Sequence, residues 1–390
     1  MVESFNFSKL PLIQFGPGKA DLLPRIISGH GRNVLLVTGS SSFLASTRGQ
    51  IILTTLEKEG LKVTHVSVQG EPSPGIVDSV VSQHRHKLPD VVIAIGGGSA
   101  IDAGKSISAM ITVEGNLKDY LEGVGFRGHP GTKIPFIAVP TTAGTGSETT
   151  KNAVISEVGE NGFKKSLRHE NFVPDIAIVD PLLTVSCPPD ITAASGMDCF
   201  TQLTEAYLSD KANRYTDSLA LEGIKVVIMC MLRAYENGSD VEARTGMSFA
   251  ALTSGICLTN AGLGVVHGFA SSVGARWAVP HGIVCGTLMA EANAVNVRML
   301  RKTGNNYEAC KKYATLGKLV VEESNKSEEY YIDAFIDYLR QLTLKLGIPR
   351  LGRFGITIND IDEICAGTDI KNNPVKLSDE ELKEILASRI

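Results

Sequence analysis

Asp198 and Gln202 stand four residues apart in Gly196-Met197-Asp198-Cys199-Phe200-Thr201-Gln202, a spacing that sets both on one face of a helix. Two imidazoles follow, His267 in Gly262-Leu263-Gly264-Val265-Val266-His267-Gly268 and His281 in Val279-Pro280-His281-Gly282. One carboxylate, one amide oxygen and two imidazoles form a donor set suited to a divalent ion. Spacing alone leaves the other reading open, because a histidine beside glycine or proline also serves as a hydrogen-bonded core or cap residue.

Two further stretches suit a dinucleotide. Gly96-Gly97-Gly98-Ser99-Ala100-Ile101-Asp102 lies between an apolar run and a helical pattern. Glycines there let backbone N–H groups approach a diphosphate, and a helix N-terminus adds partial positive charge. The stretch lacks the GxGxxG fingerprint, and a plain turn between strand and helix would read the same way. Pro140-Thr141-Thr142-Ala143-Gly144-Thr145-Gly146-Ser147-Glu148 crowds hydroxyls and two glycines after a second apolar run. Small hydroxyl side chains donate without blocking a phosphate, a ribose or a nicotinamide amide, although a surface turn can share that composition. Gly16-Pro17-Gly18 reads as a turn.

The elements that must carry these groups change character midway along the chain. Apolar, β-branched runs at 34–38, 63–68, 91–95, 136–139 and 176–179 alternate with helical patterns at 43–60, 75–87 and 100–110. Near-continuous apolar strands separated by helices predict a parallel sheet covered on both faces. Both glycine-rich stretches then fall at the carboxyl ends of strands, the edge where open α/β sheets bind ligands. After Asp180-Pro181 the β-branched runs vanish, and helical patterns such as 217–233 extend from about residue 191 to the end. The expected division is an α/β Rossmann-like dinucleotide-binding domain at 1–183 and an all-α domain at 184–390. Ser378 and Glu381 predict a capping box on the last helix.

Composition narrows the class. Hydrophobic residues make up 43% and charged residues 21% of 390, ordinary for a globular protein of two domains. The formal net charge of -4 gives no pull toward nucleic acid. Seven cysteines without a CxxC pair predict reduced thiols and a cytoplasmic setting. The N-terminus lacks a signal-peptide pattern, and no apolar window reaches the roughly 18 residues that a membrane span needs, so no membrane association is expected.

Taken together, FGPG (15–18), GGGSAIDAGK (96–105), VPTTAGTGSE (139–148), PDIAIVDP (174–181), GMDCFTQLTEAY (196–207), GLGVVHG (262–268), PHG (280–282) and Asn373-Pro374 resemble the iron-containing (group III) alcohol dehydrogenases in order and spacing. The resemblance spans nearly the whole chain. It implies the dehydroquinate synthase-like fold of that family, with cofactor and metal in the cleft between the domains, and a homodimer. It assigns the metal to Asp198, Gln202, His267 and His281, with Gln202 where a histidine is usual. An amide oxygen is a neutral, harder and weaker ligand than imidazole, so this departure bears on metal identity and tightness; the resemblance makes Fe²⁺ the first expectation and Zn²⁺ the second. Ser271 stands where many members carry a further histidine beside the nicotinamide.

The same resemblance assigns the cofactor diphosphate to Gly97, Gly98 and Ser99, with Asp102 beside them. Thr141, Thr142 and Thr145 would lie along the cofactor and Lys164 near its ribose. Gly39, followed by Ser40, ends a strand where members preferring NAD often place an aspartate, which leaves room for the 2′-phosphate of NADP. The implied reaction is hydride transfer between NAD or NADP and a primary alcohol or aldehyde, with Asp198, His267 and His281 at the catalytic centre and water supplying the proton. Phe269 and Trp277 are candidates to wall the substrate pocket, or else plain core aromatics. A dehydroquinate synthase-like lyase would require basic residues around the metal, and the segments bearing the ligands offer only Arg276. A reductase of the same family that works without metal is the other alternative.

Overall fold

The computed structural model describes residues 4–390. Six strands form one parallel sheet: β1 (Leu12–Phe15), β2 (Asn33–Gly39), β3 (Lys62–Val68), β4 (Val91–Gly96), β5 (Phe136–Pro140) and β8 (Ile176–Val179). Their order is β1-β8-β5-β4-β2-β3. Helices α1 (Leu23–Ser28), α2 (Ser42–Ala45), α3 (Thr47–Lys58), α4 (Pro74–His84) and α5 (Gly98–Met110) connect them. Alternation along each strand explains the unbroken apolar runs. Leu35, Val37, Val92 and Ala94 face Val77, Ile101 and Ile107 of α4 and α5. Val34, Leu36, Ile93 and Ile95 face Leu23, Ile27, Ile52 and Leu56 of α1 and α3. Side chains alternate at period two, so a strand buried on both faces must be apolar throughout.

The structure departs from the sequence reading in three places. The helix expected at 43–60 is broken at Ser46, whose extended backbone (ψ 144) ends α2 and caps α3 by accepting from Gly49 N. β1, missing from the reading, is a four-residue edge strand paired with β8. The α/β half is not purely parallel, because β6 (Asn152–Glu157) and β7 (Phe163–Arg168) form a separate antiparallel hairpin. That hairpin lies between α5 and the helical half, and so brings its side chains to the cleft.

Beyond Pro181 only helices occur among the described residues: α6 (Pro189–Leu208), α7 (Arg214–Glu236), α8 (Val241–Ala261), α9 (Val265–Arg276), α10 (His281–Thr303), α11 (Tyr307–Gly317), α12 (Glu328–Lys345), α13 (Ile361–Ala366) and α14 (Asp379–Ala387), with short 3₁₀ turns between them. Pro189 opens α6 at its first turn, where a missing N–H costs nothing. The capping box of Ser378 and Glu381 is present on α14. Among the described residues, no single helix is long and apolar enough to cross a membrane.

Candidate metal centre and cofactor cleft

α6 is buried along most of its length and carries Asp198, Gln202 and Glu205 on one face at spacings of four and three. Two other helices deliver their first turns to that face. His267 sits in the opening turn of α9, and His281 is the first residue of α10, after Pro280. The approach of α10 depends on two glycines. A Cβ at Gly282 would fall 2.2 Å from Ala194 O, and one at Gly286 would fall 2.9 Å from Met197 Cβ. Without side chains there, α10 presses its first turn against α6 and brings His281 and Cys285 to Asp198.

The donors converge. His267 Nε2 lies 3.2 Å from Asp198 Oδ1, and His281 Nε2 lies 3.6 Å from the same oxygen. Cys285 Sγ stands 3.7 Å from His267 Nε2 and 3.8 Å from His281 Nε2. Ligand bonds of about 2.0–2.3 Å in tetrahedral array place donor atoms about 3.3–3.7 Å apart, so this set fits one small divalent ion. Gln202 is arranged otherwise than the sequence suggests. Its Nε2, not its oxygen, faces Asp198 Oδ1 at 3.2 Å, and its Oε1 accepts from Ser254 Oγ at 2.9 Å.

Two residues of the centre escaped the sequence reading. Cys285 lies one helical turn beyond His281, a four-residue spacing that the sequence displays. Glu205 lies one turn beyond Gln202. Its Oε2 accepts from His267 Nδ1 at 2.6 Å, and its Oε1 accepts from Val266 N at 2.7 Å. The corresponding tie on His281 is lacking, since its Nδ1 is buried without a partner.

Electrostatics divide the cluster into a charged pair, Asp198 and His267, and two neutral groups, His281 and Cys285. Burial opposes ionisation of Asp198, but His281 and His267 more than reverse it and hold the carboxyl at about 2. Burial likewise disfavours the His267 imidazolium, yet Cys285, Glu205 and Asp198 raise that group well above its usual value. Burial lowers His281 to about 4 and lifts the Cys285 thiol to about 11.

The centre opens on a cavity of about 570 Å³ that Gly98, Ser99, Asp102 and Thr145 also line. A Cβ at Gly98 would collide with Thr145 at 2.7 Å, which brings the two expected cofactor loops together. Gly97 faces Thr142 in the same way, and Thr141 N donates to Gly96 O at 2.9 Å. Asp102 is buried and accepts from Val154 N at 2.9 Å. Lys164 reaches the cavity from β7, bonded to both oxygens of Glu71. Gly39 and Ser40 stand at the end of β2, on the same edge of the sheet but outside the cavity lining, with open space beside Gly39.

Phe269 and Trp277 do not line the cavity. Phe269 is fully buried in a core with Val284 and Leu288, and Trp277 packs on that core under Arg276. Arg276 itself pairs with Glu363. The basic residues that do line the cavity are Lys151, Lys164, Arg168, Lys211 and Lys371, of which only Lys211, just past the end of α6, is near a ligand motif in sequence.

The family model of iron-containing alcohol dehydrogenase matches residues 11–181, and that of the C-terminal domain of the Fe-containing alcohol dehydrogenase family matches residues 192–390. The chain is 32% identical to alcohol dehydrogenase 4 of Schizosaccharomyces pombe, covering 99% of this chain and 88% of that one. It is 30% identical to an NADPH-dependent butanol dehydrogenase of Clostridium saccharobutylicum, over 96% of this chain and 95% of the other. Among solved structures, a 1,3-propanediol oxidoreductase superposes with a TM-score of 0.88 at 28% identity, covering all of both chains.

Proposed function

This chain belongs to the iron-containing alcohol dehydrogenase family, and on that footing we propose that Asp198, His267, His281 and Cys285 hold the divalent ion of an NAD(P)-dependent alcohol dehydrogenase or aldehyde reductase. The observation that carries the residue assignment is the convergence of four donor atoms within 4.8 Å of one another, two of them, from His267 and His281, lining the cavity that Gly98, Ser99 and Thr145 also line. When bound, the cofactor would supply hydride exchange at the substrate's carbonyl carbon and the ion would supply polarisation of its oxygen.

The protein side chains hold the geometry for this exchange. Glu205 accepts the Nδ1 proton of His267, so that Nε2, which faces Asp198, is the nitrogen that would exchange its proton for the ion. Gln202 donates to Asp198 and orients the carboxylate, itself anchored by Ser254. Gly97, Gly98 and Ser99, with Asp102 beside them, are the proposed diphosphate seat at the start of α5. Thr141, Thr142 and Thr145 lie along the cofactor, and Lys164 near its ribose. Ser271 lines the cavity but donates its hydroxyl to His267 O at 2.9 Å, so proton delivery falls to water.

Metal identity gives the direct test. Cobalt titrated into apo-protein should produce a sulfur-to-cobalt charge-transfer band in the near ultraviolet, absent from Cys285→Ser. A wild-type cobalt spectrum without that band would remove Cys285 and return the fourth position to Gln202. A thiolate favours Zn²⁺ over Fe²⁺ more than the sequence alone suggests.

Both NAD(H) and NADP(H) are expected to serve, because nothing lies within 4 Å of a Cβ at Gly39. Gly39→Asp should weaken NADP(H) selectively, by about tenfold or more, through repulsion of the 2′-phosphate. A ratio of NADP(H) to NAD(H) affinity that is the same in Gly39→Asp and in wild type, read by fluorescence titration, would refute the assignment of Gly39 and Ser40 to the adenosine ribose. A cytoplasmic homodimer is the assembly proposed. The seven free cysteines support the compartment, and light scattering would report the dimer as twice 41.6 kDa.

A further inference from the structure

The cavity holds more positive charge than an uncharged alcohol needs. Lys151, Lys164, Arg168, Lys211 and Lys371 line it, against Glu71, Asp102 and Asp369. Three of the cations already have carboxylates: Lys164 pairs with Glu71, Lys151 with Glu170 and Arg168 with Glu122. Lys211 and Lys371 make no ion pair among the described residues. Asp369 does not neutralise Lys371 directly, because its Oδ1 accepts from the Lys371 backbone N at 2.9 Å.

Lys371 is also held where its backbone resists. Its φ is 52°, and Asn325 is the only other non-glycine described residue with positive φ. A side chain disfavours that region, and such strain persists only where the surroundings impose it. Here they do. Asn372 N donates to Leu263 O at 3.0 Å, and Asp210 N donates to Asn372 O at 3.1 Å. Gly268 of α9 closes from the other side, since a Cβ there would fall 2.0 Å from Asp369 O. The fold fixes a conformation that glycine would adopt freely, yet a lysine occupies it.

The side chain shows what that lysine can do. Its ammonium donates to the carbonyl of His267 at 3.0 Å, on the wall that bears the metal donors. One of three ammonium protons is used there, and the others face a cavity where no described acceptor takes them. The bond to His267 ties the Lys371 ammonium to the backbone of a residue in the metal centre, so the cation stands beside the place where a substrate oxygen would meet the ion.

We propose that Lys371, assisted by Lys211, binds an oxyanion on the substrate, so that the preferred substrates are aldehydes or alcohols carrying a carboxylate or similar anion near the reacting carbon. This rests on the dehydrogenase reading above.

Paired aldehydes of equal length test it: acetaldehyde against glyoxylate, and butanal against succinic semialdehyde, with the metal-loaded enzyme. Wild type should favour the charged member of at least one pair by about tenfold or more in kcat/KM, as a charge-assisted bond implies, and the gap should narrow as salt is added. Lys371→Gly removes the cation and the backbone strain together. Its thermal midpoint should hold or rise, which separates loss of binding from loss of fold, while the charged-to-neutral ratio drops at least about tenfold, chiefly through KM. The proposal is overturned if wild type prefers the neutral member of both pairs, or if Lys371→Gly leaves the ratio in place and raises KM for the cofactor instead. Reduction of no aldehyde with any metal would sink the dehydrogenase reading. Calorimetric titration with succinate then decides the anion site by itself: binding that Lys371→Gly abolishes supports it, and no binding to wild type refutes it.

Discussion

Asp198→Asn is expected to lower kcat by about a thousandfold or more and to leave the purified protein with little metal, since a polarising ion contributes several kcal/mol to such a step. The residue is buried, and its Oδ1 is the atom that both His267 and His281 approach. With its carboxyl held at about 2, it is ionised throughout the working range and supplies fixed negative charge to the donor set. Asparagine keeps the shape and removes the charge. The Nε2 donor of Gln202 would then face an amide in place of a carboxylate, a minor loss beside that of the ion. Metal content, kcat with added metal, and thermal midpoint should be read together. A variant that stays folded, binds no metal and keeps turnover within about tenfold of wild type would place the chain with reductases that need no ion.

The central sheet was legible because burial on both faces forces apolar runs, and α/β connectivity then fixes which loops share an edge. β1 was not legible, for four residues at an edge leave too short a period to read. The β6–β7 hairpin was hidden by mixed polarity: the buried positions of Phe163–Arg168 are only Phe163 and Leu167, with lysines between. That omission also concealed Arg168 in the cavity, whereas Lys164 was legible only through the family resemblance. Of the centre, Asp198, His267 and His281 could be found from type and order. Gln202 could not be oriented, because an amide offers a donor and an acceptor at nearly the same reach. Phe269 failed as a pocket wall for a helical reason. Two residues after His267 is about 200° around the helix, so the ring points into the core when the imidazole points into the cleft. Of the five cations three come from the β6–β7 hairpin and its start, while Lys211 and Lys371 come from two distant segments, so only the fold assembles the set.

Glu205→Gln should weaken metal binding by about 10–100-fold, the range typical of a lost carboxylate behind a ligating histidine. The argument lies in proton positions. In wild type the carboxylate offers one oxygen to His267 Nδ1 and the other to Val266 N, so both of its neighbours can donate. A glutamine has one acceptor oxygen and one amide donor, so it must turn its NH₂ toward one of them. If the NH₂ meets His267, the imidazole is driven to the tautomer with its proton on Nε2, the atom that faces Asp198. That tautomer has no lone pair for the ion. If it meets Val266, the first turn of α9 loses a bond that fixes its position on α6. The space is too tight for the side chain to swing away, since a Cβ at Gly264 would lie 2.9 Å from Glu205 Oε1. Because all first donors survive, excess metal should restore much of the activity of Glu205→Gln, whereas Asp198→Asn should not be rescued. Competition with a chelator of known affinity gives the dissociation constant, and nitrogen NMR of the His267 ring gives the tautomer. An unchanged metal affinity in a folded Glu205→Gln protein would reduce Glu205 to a cap on α9 and leave the His267 tautomer to be set by the ion alone.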